Sequence, residues 1–306
     1  SSSKAAAATA TDGFLYGYIN CPNFLSARIA RREGCSTFPF SSSLSSAVGR
    51  ADTKAPATAA TVSRGRGSSS SSQRHFSSVK MLGAWRCSGS SNGELVKNLI
   101  DSSLIRSPRV AKVMQATDRG FYVAQEAYED RPQPIGFRAT ISAPHMHAHA
   151  LEVLSPVVPQ DGGKVLDVGC GSGYLTAALA RMVGTGGVCY GMDYIANLVA
   201  LSEANLDGDD AQLLGSGNVR LKTGDGWKGW AEYGPFDAIH VGAAAERIPE
   251  ELVQQLKPGG RMVVPVGPAT GSQVLVQVKA LSGDPESYTT ENLLSVIYVP
   301  LVSTAS

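Results

Sequence analysis

The chain has 306 residues, of which 43% are hydrophobic and 17% charged, with a net charge of +1. That length allows one or two domains. The five cysteines include no C-x-x-C pair, and no apolar run reaches the roughly 18 residues of a membrane span. The composition therefore excludes a cysteine-ligated zinc site, a disulfide framework and a membrane-spanning helix, and it favours a reducing compartment.

The two ends of the chain differ in charge. Residues 1–80 are rich in Ser and Ala and hold ten Lys and Arg against three acids. We expect residues 1–83 to be a disordered leader, either a transit peptide or an unprocessed tail, with Met81 a candidate start of a shorter form. The remaining chain has 17 basic and 23 acidic residues, a balance that argues against a nucleic-acid substrate.

A folded domain is expected over residues 84–306, beginning with two helices that cap a sheet. Ser91 and Glu94 have the spacing of a capping box, and Ser107 with Pro108 opens the second helix. A third helix follows a loop and carries three histidines at alternate positions, His145, His147 and His149. Because these side chains do not share one helical face, we predict no metal site.

A glycine turn between a strand and a helix is the main candidate for ligand binding. The apolar run 165–168 predicts a buried strand, and Gly169, Gly171 and Gly173 follow at alternate positions before a helical pattern. Such a turn presents backbone N–H groups to a ligand. Glycine is required where a side chain would block the ligand or forbid the backbone angles.

Acidic residues at two strand ends indicate which ligand the turn binds. The third glycine comes one residue earlier than in a dinucleotide fingerprint. Asp167, at the strand end, is unfavourable for a pyrophosphate but suits a cationic amino-acid group. Asp193 ends the next strand, where such folds place a carboxylate on ribose hydroxyls. A nucleoside with an amino-acid tail and no phosphate is S-adenosylmethionine, which we predict as the cofactor.

Strands and helices then alternate to the end of the chain. Strands are predicted at residues 165–168, 188–192, 217–225, 236–242, 261–266, 274–281 and 293–301, with a helix at 249–256. The pattern indicates an α/β fold with a doubly wound, mostly parallel seven-stranded sheet, the Rossmann-like fold of class I methyltransferases. Asp225 is predicted to contact the adenine amino group, with a turn role as the alternative. Asp237 is predicted to be structural, and His240 to be a core histidine rather than a pocket residue.

The predicted reaction follows from what the sequence lacks. Methyl transfer from a sulfonium requires placement and exclusion of water, and an anionic acceptor needs no base. The Asp/Asn-Pro-Pro-aromatic motif of nucleic-acid amino-methylating enzymes is missing, and residues 241–245 are VGAAA in its place. A carboxylate, with a pKa of about 4, is ionised at neutral pH, so elimination favours O-methylation of an acid.

Residues 84–303 resemble the protein-L-isoaspartate (D-aspartate) O-methyltransferases. The TISAPHMH segment is highly specific for that family, whereas the glycine motif is shared by many methyltransferases. The matching motifs are ATDR (116–119), IGFRATISAPHMHA (135–148), LDVGCGSG (166–173), GDG (224–226), FDAIHVGAAA (236–245), LKPGGR (256–261) and VIYVPL (296–301).

This resemblance implies a repair enzyme. It would use S-adenosylmethionine to esterify the free α-carboxylate of L-isoaspartyl and D-aspartyl residues in damaged proteins and peptides. The ester would then collapse to a succinimide, whose hydrolysis returns some normal aspartate. An O-methyltransferase of another specificity on the same fold is the alternative. We expect a monomer, and from the charge balance and the lack of a long apolar run we expect no nucleic-acid or membrane partner. A short form would be cytoplasmic, and a form with the leader would be plastid or nuclear.

The same resemblance implies roles for individual residues. Ser142 would be the catalytic residue that orients the acceptor carboxylate, unless it only caps the following helix. Ser142, Ala143 and the Val299 backbone would bind the substrate peptide. The implied cofactor-binding residues are Ala139, Thr140, Ile141, Ser142, His147, Asp167, Gly169, Gly171, Gly173, Asp193, Tyr194, Asp225, Gly226 and Gly242.

Overall fold

The computed structural model describes residues 87–281 and 287–303. The predictions for the leader at residues 1–83 therefore lie outside the described residues. Within the described part, none of the helices combines the length and the apolar character needed to cross a membrane.

Six α-helices and nine strands make up the described part of the chain. The helices are α1 (Asn92–Asp101), α2 (Pro108–Ala116), α3 (Pro144–Leu154), α4 (Tyr174–Val183), α5 (Ala196–Gly215) and α6 (Glu250–Val253). The strands are β1 (Gln133–Gly136), β2 (Ala139–Ile141), β3 (Lys164–Val168), β4 (Val188–Asp193), β5 (Val219–Thr223), β6 (Phe236–Val241), β7 (Leu256–Val266), β8 (Gln273–Ala280) and β9 (Tyr288–Val296).

The first two helices begin where their capping residues predict. The Ser91 side chain accepts a hydrogen bond from the Glu94 N–H, and the Ser107 side chain accepts one from the Val110 N–H. Each satisfies a backbone donor that the first helical turn leaves without a partner. The predicted helix at 249–256 is much shorter, because Leu256 already pairs with Phe236 as the first residue of β7.

The main sheet has seven strands in the order β5-β4-β3-β6-β7-β8-β9. The first five are parallel, and β8 and β9 are antiparallel additions. This confirms the predicted doubly wound, mostly parallel α/β architecture. The chain order reverses between β3 and β6, which opens a crevice at the carboxyl ends of these strands.

Several limits predicted from the sequence were wrong, since β7 begins at Leu256 rather than at residue 261 and β9 begins at Tyr288 rather than at residue 293. The loop before Pro144 contains the antiparallel hairpin β1–β2. The strand predicted at 293–301 ends at Val296, and the residues that follow leave the sheet. The Val299 carbonyl accepts from the Ala244 N–H, and the Leu301 N–H donates to the Ala244 carbonyl. The apolar pattern there reflects contact with another loop, which a period-two pattern cannot distinguish from a strand.

The core lies on both faces of the sheet, and α3 contributes Leu151, which is fully buried. We predict that Leu151→Ala lowers the free energy of unfolding by about 2–5 kcal/mol, because the truncation leaves a cavity among packed neighbours. Leu281→Ala makes the same change at a side chain that is 54% exposed and should cost less than about 0.5 kcal/mol. Urea unfolding of both variants measures this difference, and equal losses would contradict it.

Candidate active site

A cleft lies at the carboxyl edge of the parallel strands, where the sheet order reverses. It encloses about 240 Å³, and its walls come from four parts of the chain. These are the β1–β2 hairpin, the glycine turn after β3, the ends of β4 to β6, and residues 299–302. Among the described residues that line it, only Arg138 and Asp193 are charged. A multiply charged phosphate therefore finds no cluster of cations here.

Backbone geometry explains the three glycines. Gly169, Gly171 and Gly173 have φ angles of +81°, +54° and +88°, in the left-handed region that side chains disfavour. The N–H groups of Gly169 and Cys170 both donate to the Met192 carbonyl, at 2.8 and 2.9 Å. The turn is thus held against the end of β4, and helix α4 begins directly after it.

Asp193, the last residue of β4, joins the glycine turn to the carboxyl end of that strand. Its Oδ2 accepts from the Gly171 N–H at 3.2 Å and its Oδ1 from the Ile195 N–H at 3.0 Å. Burial raises the pKa of this carboxyl, and the two backbone donors oppose that shift. Asp193 lines the cleft, and its contact with ribose hydroxyls stays a prediction.

Asp167 is engaged within the protein rather than with the cleft. It is 1% exposed, and its oxygens accept from Thr176 Oγ1 at 2.6 Å and from the His240 ring at 2.8 Å. The carboxylate thereby links β3 to α4 and β6. His240 is the buried strand histidine that the sequence predicted. Contact between Asp167 and a cofactor amino group stays a prediction.

Asp225 and Asp237 have defined structural contacts. The Asp225 carboxylate accepts from the Trp227 N–H and from the Ser303 hydroxyl, each at 2.9 Å. The first bond is the turn role that was the alternative interpretation, whereas the adenine contact stays a prediction. Asp237 pairs with Lys257 and accepts from the Lys164 N–H at 2.8 Å, which confirms its predicted structural role.

Ser142 precedes helix α3 without capping it. The N-cap position is occupied by Ala143, and no side chain caps this helix, so the capping alternative was wrong. The Ser142 side chain forms a hydrogen bond with the Tyr298 phenol, which opposes the rise in the pKa of Tyr298 caused by burial. The Ser142 carbonyl accepts from the Arg119 guanidinium at 2.9 Å. Ser142 is therefore held on two sides and remains half-buried.

The cleft brings together nine of the predicted site residues, which are Ala139, Thr140, Gly169, Gly171, Asp193, Tyr194, Gly226, Gly242 and Val299. The other seven predicted site residues do not line this cleft, namely Ile141, Ser142, Ala143, His147, Asp167, Gly173 and Asp225. Sequence reasoning missed Phe137 and Arg138, which line the cleft mouth with positive φ angles. Phe and Arg do not indicate a positive φ angle in a sequence, so the tight hairpin was not predicted.

The three histidines of α3 have separate environments. The His145 ring lies 2.8 Å from the Asp130 carboxylate, His147 is buried beside Arg119, and His149 Nε2 has no hydrogen-bond partner. Among the described residues, no group of three His, Cys, Asp or Glu side chains could hold a metal ion.

Comparison with known proteins identifies the family. The sequence model described as "Protein-L-isoaspartate(D-aspartate) O-methyltransferase (PCMT)" matches residues 90–306. The chain belongs to this family. A protein-L-isoaspartate O-methyltransferase of Caenorhabditis elegans is 46% identical over 220 residues, which cover 72% of this chain and 96% of the relative. Protein-L-isoaspartate O-methyltransferase 2 of Arabidopsis thaliana is 49% identical over 212 residues, 68% of this chain and 67% of the relative.

A solved structure of the family shows the same fold. It is a putative protein-L-isoaspartate O-methyltransferase of Plasmodium falciparum in complex with S-adenosyl-L-homocysteine. It aligns with a TM-score of 0.64 and 32% identity, covering 70% of this chain and 99% of that structure. The cofactor of this family is S-adenosylmethionine. The cleft, with no cluster of cations in its described lining, a glycine turn on one wall and Asp193 at a strand end, fits such a nucleoside.

Asp193→Asn tests the role of this carboxylate in cofactor binding. The amide nitrogen would face a backbone N–H at Gly171 or Ile195, so one hydrogen bond would be replaced by a donor–donor clash. We expect the Kd for S-adenosylhomocysteine to rise about tenfold, measured by titration calorimetry. Asp161→Asn is the matched control, because Asp161 is exposed and accepts from the Gly186 N–H at the opposite edge of the sheet. Equal affinities for the two variants would contradict the assignment.

Proposed function

We propose that this chain transfers a methyl group from S-adenosylmethionine to the free α-carboxylate of L-isoaspartyl and D-aspartyl residues in damaged proteins and peptides. The observation that carries the proposal is the family match over residues 90–306, which includes the complete TISAPHMH segment. It is supported by the position of Ser142, whose hydroxyl is not used to cap a helix.

The proposed roles of the residues follow from the charges of the reactants. When bound, S-adenosylmethionine supplies a methyl group activated by a sulfonium. The acceptor carboxylate is already ionised at neutral pH, so Ser142 needs only to donate a hydrogen bond and orient it. The cleft walls at Val168, Gly242 and Leu301 carry no polar side chain, and we propose that they exclude water from the reacting atoms. The acceptor carboxylate is an anion and the sulfonium is a cation, and methyl transfer converts them to an uncharged ester and an uncharged thioether. A site with few charges therefore favours the reaction.

The substrate peptide is proposed to lie along residues 299–302. The Val299 carbonyl is already bonded to the Ala244 N–H at 2.7 Å. The Val299 N–H has no partner among the described residues, so it is the group available to an extended peptide. An extended substrate is consistent with the exposed side chains of Ile297 and Val299 beside the cleft.

The decisive assay uses two synthetic peptides that differ only in carrying isoaspartate or aspartate at one position. We expect base-labile methyl label only on the isoaspartyl peptide. Ser142→Ala should lower kcat/KM by roughly 10- to 100-fold, because one hydrogen bond to a charged group is lost. Ser155→Ala, at the other end of α3, is the control and should be unchanged. Label on neither peptide, or on a small metabolite alone, would favour an O-methyltransferase of another specificity.

Residues 1–83 are proposed to target the protein to a cellular compartment without taking part in catalysis. We expect a chain that begins at residue 84 to keep its kcat/KM within about twofold, since catalytic domains fold independently of such leaders. A fluorescent protein fused to residues 1–83 should enter plastids or nuclei, whereas a form starting at Met81 should stay in the cytoplasm. Lost activity on truncation would place residues 1–83 in the catalytic unit.

The protein is also proposed to be a monomer. Light scattering of the full-length chain measures its mass in solution and tests this oligomeric state.

A further inference from the structure

A buried cation lies directly behind the segment that carries Ser142. Arg119 begins a short 3-10 helix and is 0% exposed. Among the described residues it forms no ion pair, and its Nε has no hydrogen-bond partner. Burying an uncompensated charge costs several kcal/mol. Packing alone does not explain this arginine, because an apolar side chain of similar size would avoid that cost.

The contacts of Arg119 join the two halves of the site. Its Nη2 donates to the Ser142 carbonyl at 2.9 Å, and its Nη1 lies 3.4 Å from His147 Nδ1. The guanidinium carbon lies 5.4 Å from the centre of the Tyr174 ring. Tyr174 is the first residue of α4, directly after the glycine turn. The cation therefore connects the cofactor turn to the segment that receives the acceptor.

The surroundings leave Arg119 charged and His147 neutral. Burial lowers the pKa of Arg119 to about 10, which still leaves it protonated at neutral pH. Burial and the Arg119 charge lower the pKa of His147 well below its usual value. Because a guanidinium only donates, His147 Nδ1 must accept and its proton is assigned to Nε2. Asp130 and Tyr174 are the other titratable groups whose charges act on Arg119.

We propose that Arg119 is a positioning residue for the acceptor carboxylate, acting through the Ser142–Ala143 peptide unit. Its hydrogen bond to the Ser142 carbonyl polarises that unit and fixes its plane. The N–H of the same unit belongs to Ala143, and this N–H has no hydrogen-bond partner among the described residues. A polarised N–H beside the Ser142 hydroxyl gives a carboxylate two donors. This inference rests on the proposed function.

Three variants of the full-length protein test the inference by steady-state kinetics with the isoaspartyl peptide. Arg119→Met removes the charge and should raise the peptide KM about tenfold with kcat changed less than about threefold. The Kd for S-adenosylhomocysteine should stay within about threefold. Arg109→Met is the matched control, because Arg109 also donates to backbone carbonyls, at Ser155, Val158, Pro159 and Met182. It should alter stability without altering the peptide KM.

Arg119→Lys supplies a readout that a purely structural role would not change. A lysine at this buried position should have a depressed pKa and lose its proton within the assay range. Its peptide KM should be close to wild type at pH 6 and rise toward the Arg119→Met value at pH 9. Wild type and Arg119→Met have the same neighbours, His147, Tyr174 and Asp130, and should show no such rise.

The outcomes separate this inference from the proposed function. If wild type methylates the isoaspartyl peptide and Arg119→Met keeps its KM, the positioning role is wrong and the function stands. A peptide KM of Arg119→Lys that does not change between pH 6 and pH 9 would also overturn the positioning role. If both Arg119 variants fail to fold, Arg119 serves the fold and the inference fails. If wild type transfers no methyl group to the peptide, the proposed function itself fails.

Discussion

The hydrogen bonds of the buried Asp167 carboxylate hold the centre of this structure together. Asp167 lies on β3, the middle of the five parallel strands, and its two oxygens bond Thr176 on α4 and His240 on β6. A buried carboxylate must keep its partners, because an unpaired charge in the interior is very costly. The glycine turn spans the short distance between Asp167 and Thr176 and begins where β3 and β6 diverge. The position of the turn at the mouth of the crevice therefore depends on these bonds.

The two reactants of the proposed reaction are expected to bind to different parts of the chain. The glycine turn and the ends of β4 to β6 form the cofactor side, whereas the residues around Ser142 and residues 299–302 form the acceptor side. Backbone hydrogen bonds to Ala244 and the bond between Trp227 Nε1 and the Leu301 carbonyl hold the C-terminal segment in place. Gly226 permits this approach, since a Cβ there would lie 2.8 Å from Leu301 Cδ1 and from Val168 Cγ1.

Errors in the sequence-based predictions share a physical cause. The segment at 293–301 alternates like a strand, yet beyond Val296 its apolar residues pack on a loop and on the cleft. The hairpin at Phe137 and Arg138 requires positive φ angles that these residue types do not signal. The carboxylates of Asp167 and Asp225 have protein partners that the sequence did not predict, because a strand end does not reveal which neighbours a side chain meets. Their cofactor contacts stay predictions.

The sequence alone determined the fold class, the cofactor class and the family of this protein. Those properties depend on local patterns, namely apolar periodicity, glycines where the backbone turns left-handed, and short motifs such as TISAPHMH. Only the tertiary structure decided which residues share the cleft, that Ser142 does not cap α3, and that Arg119 bonds the Ser142 carbonyl. These facts depend on contacts between residues far apart in the chain. The energy of such contacts arises only when the sheet brings the distant segments together.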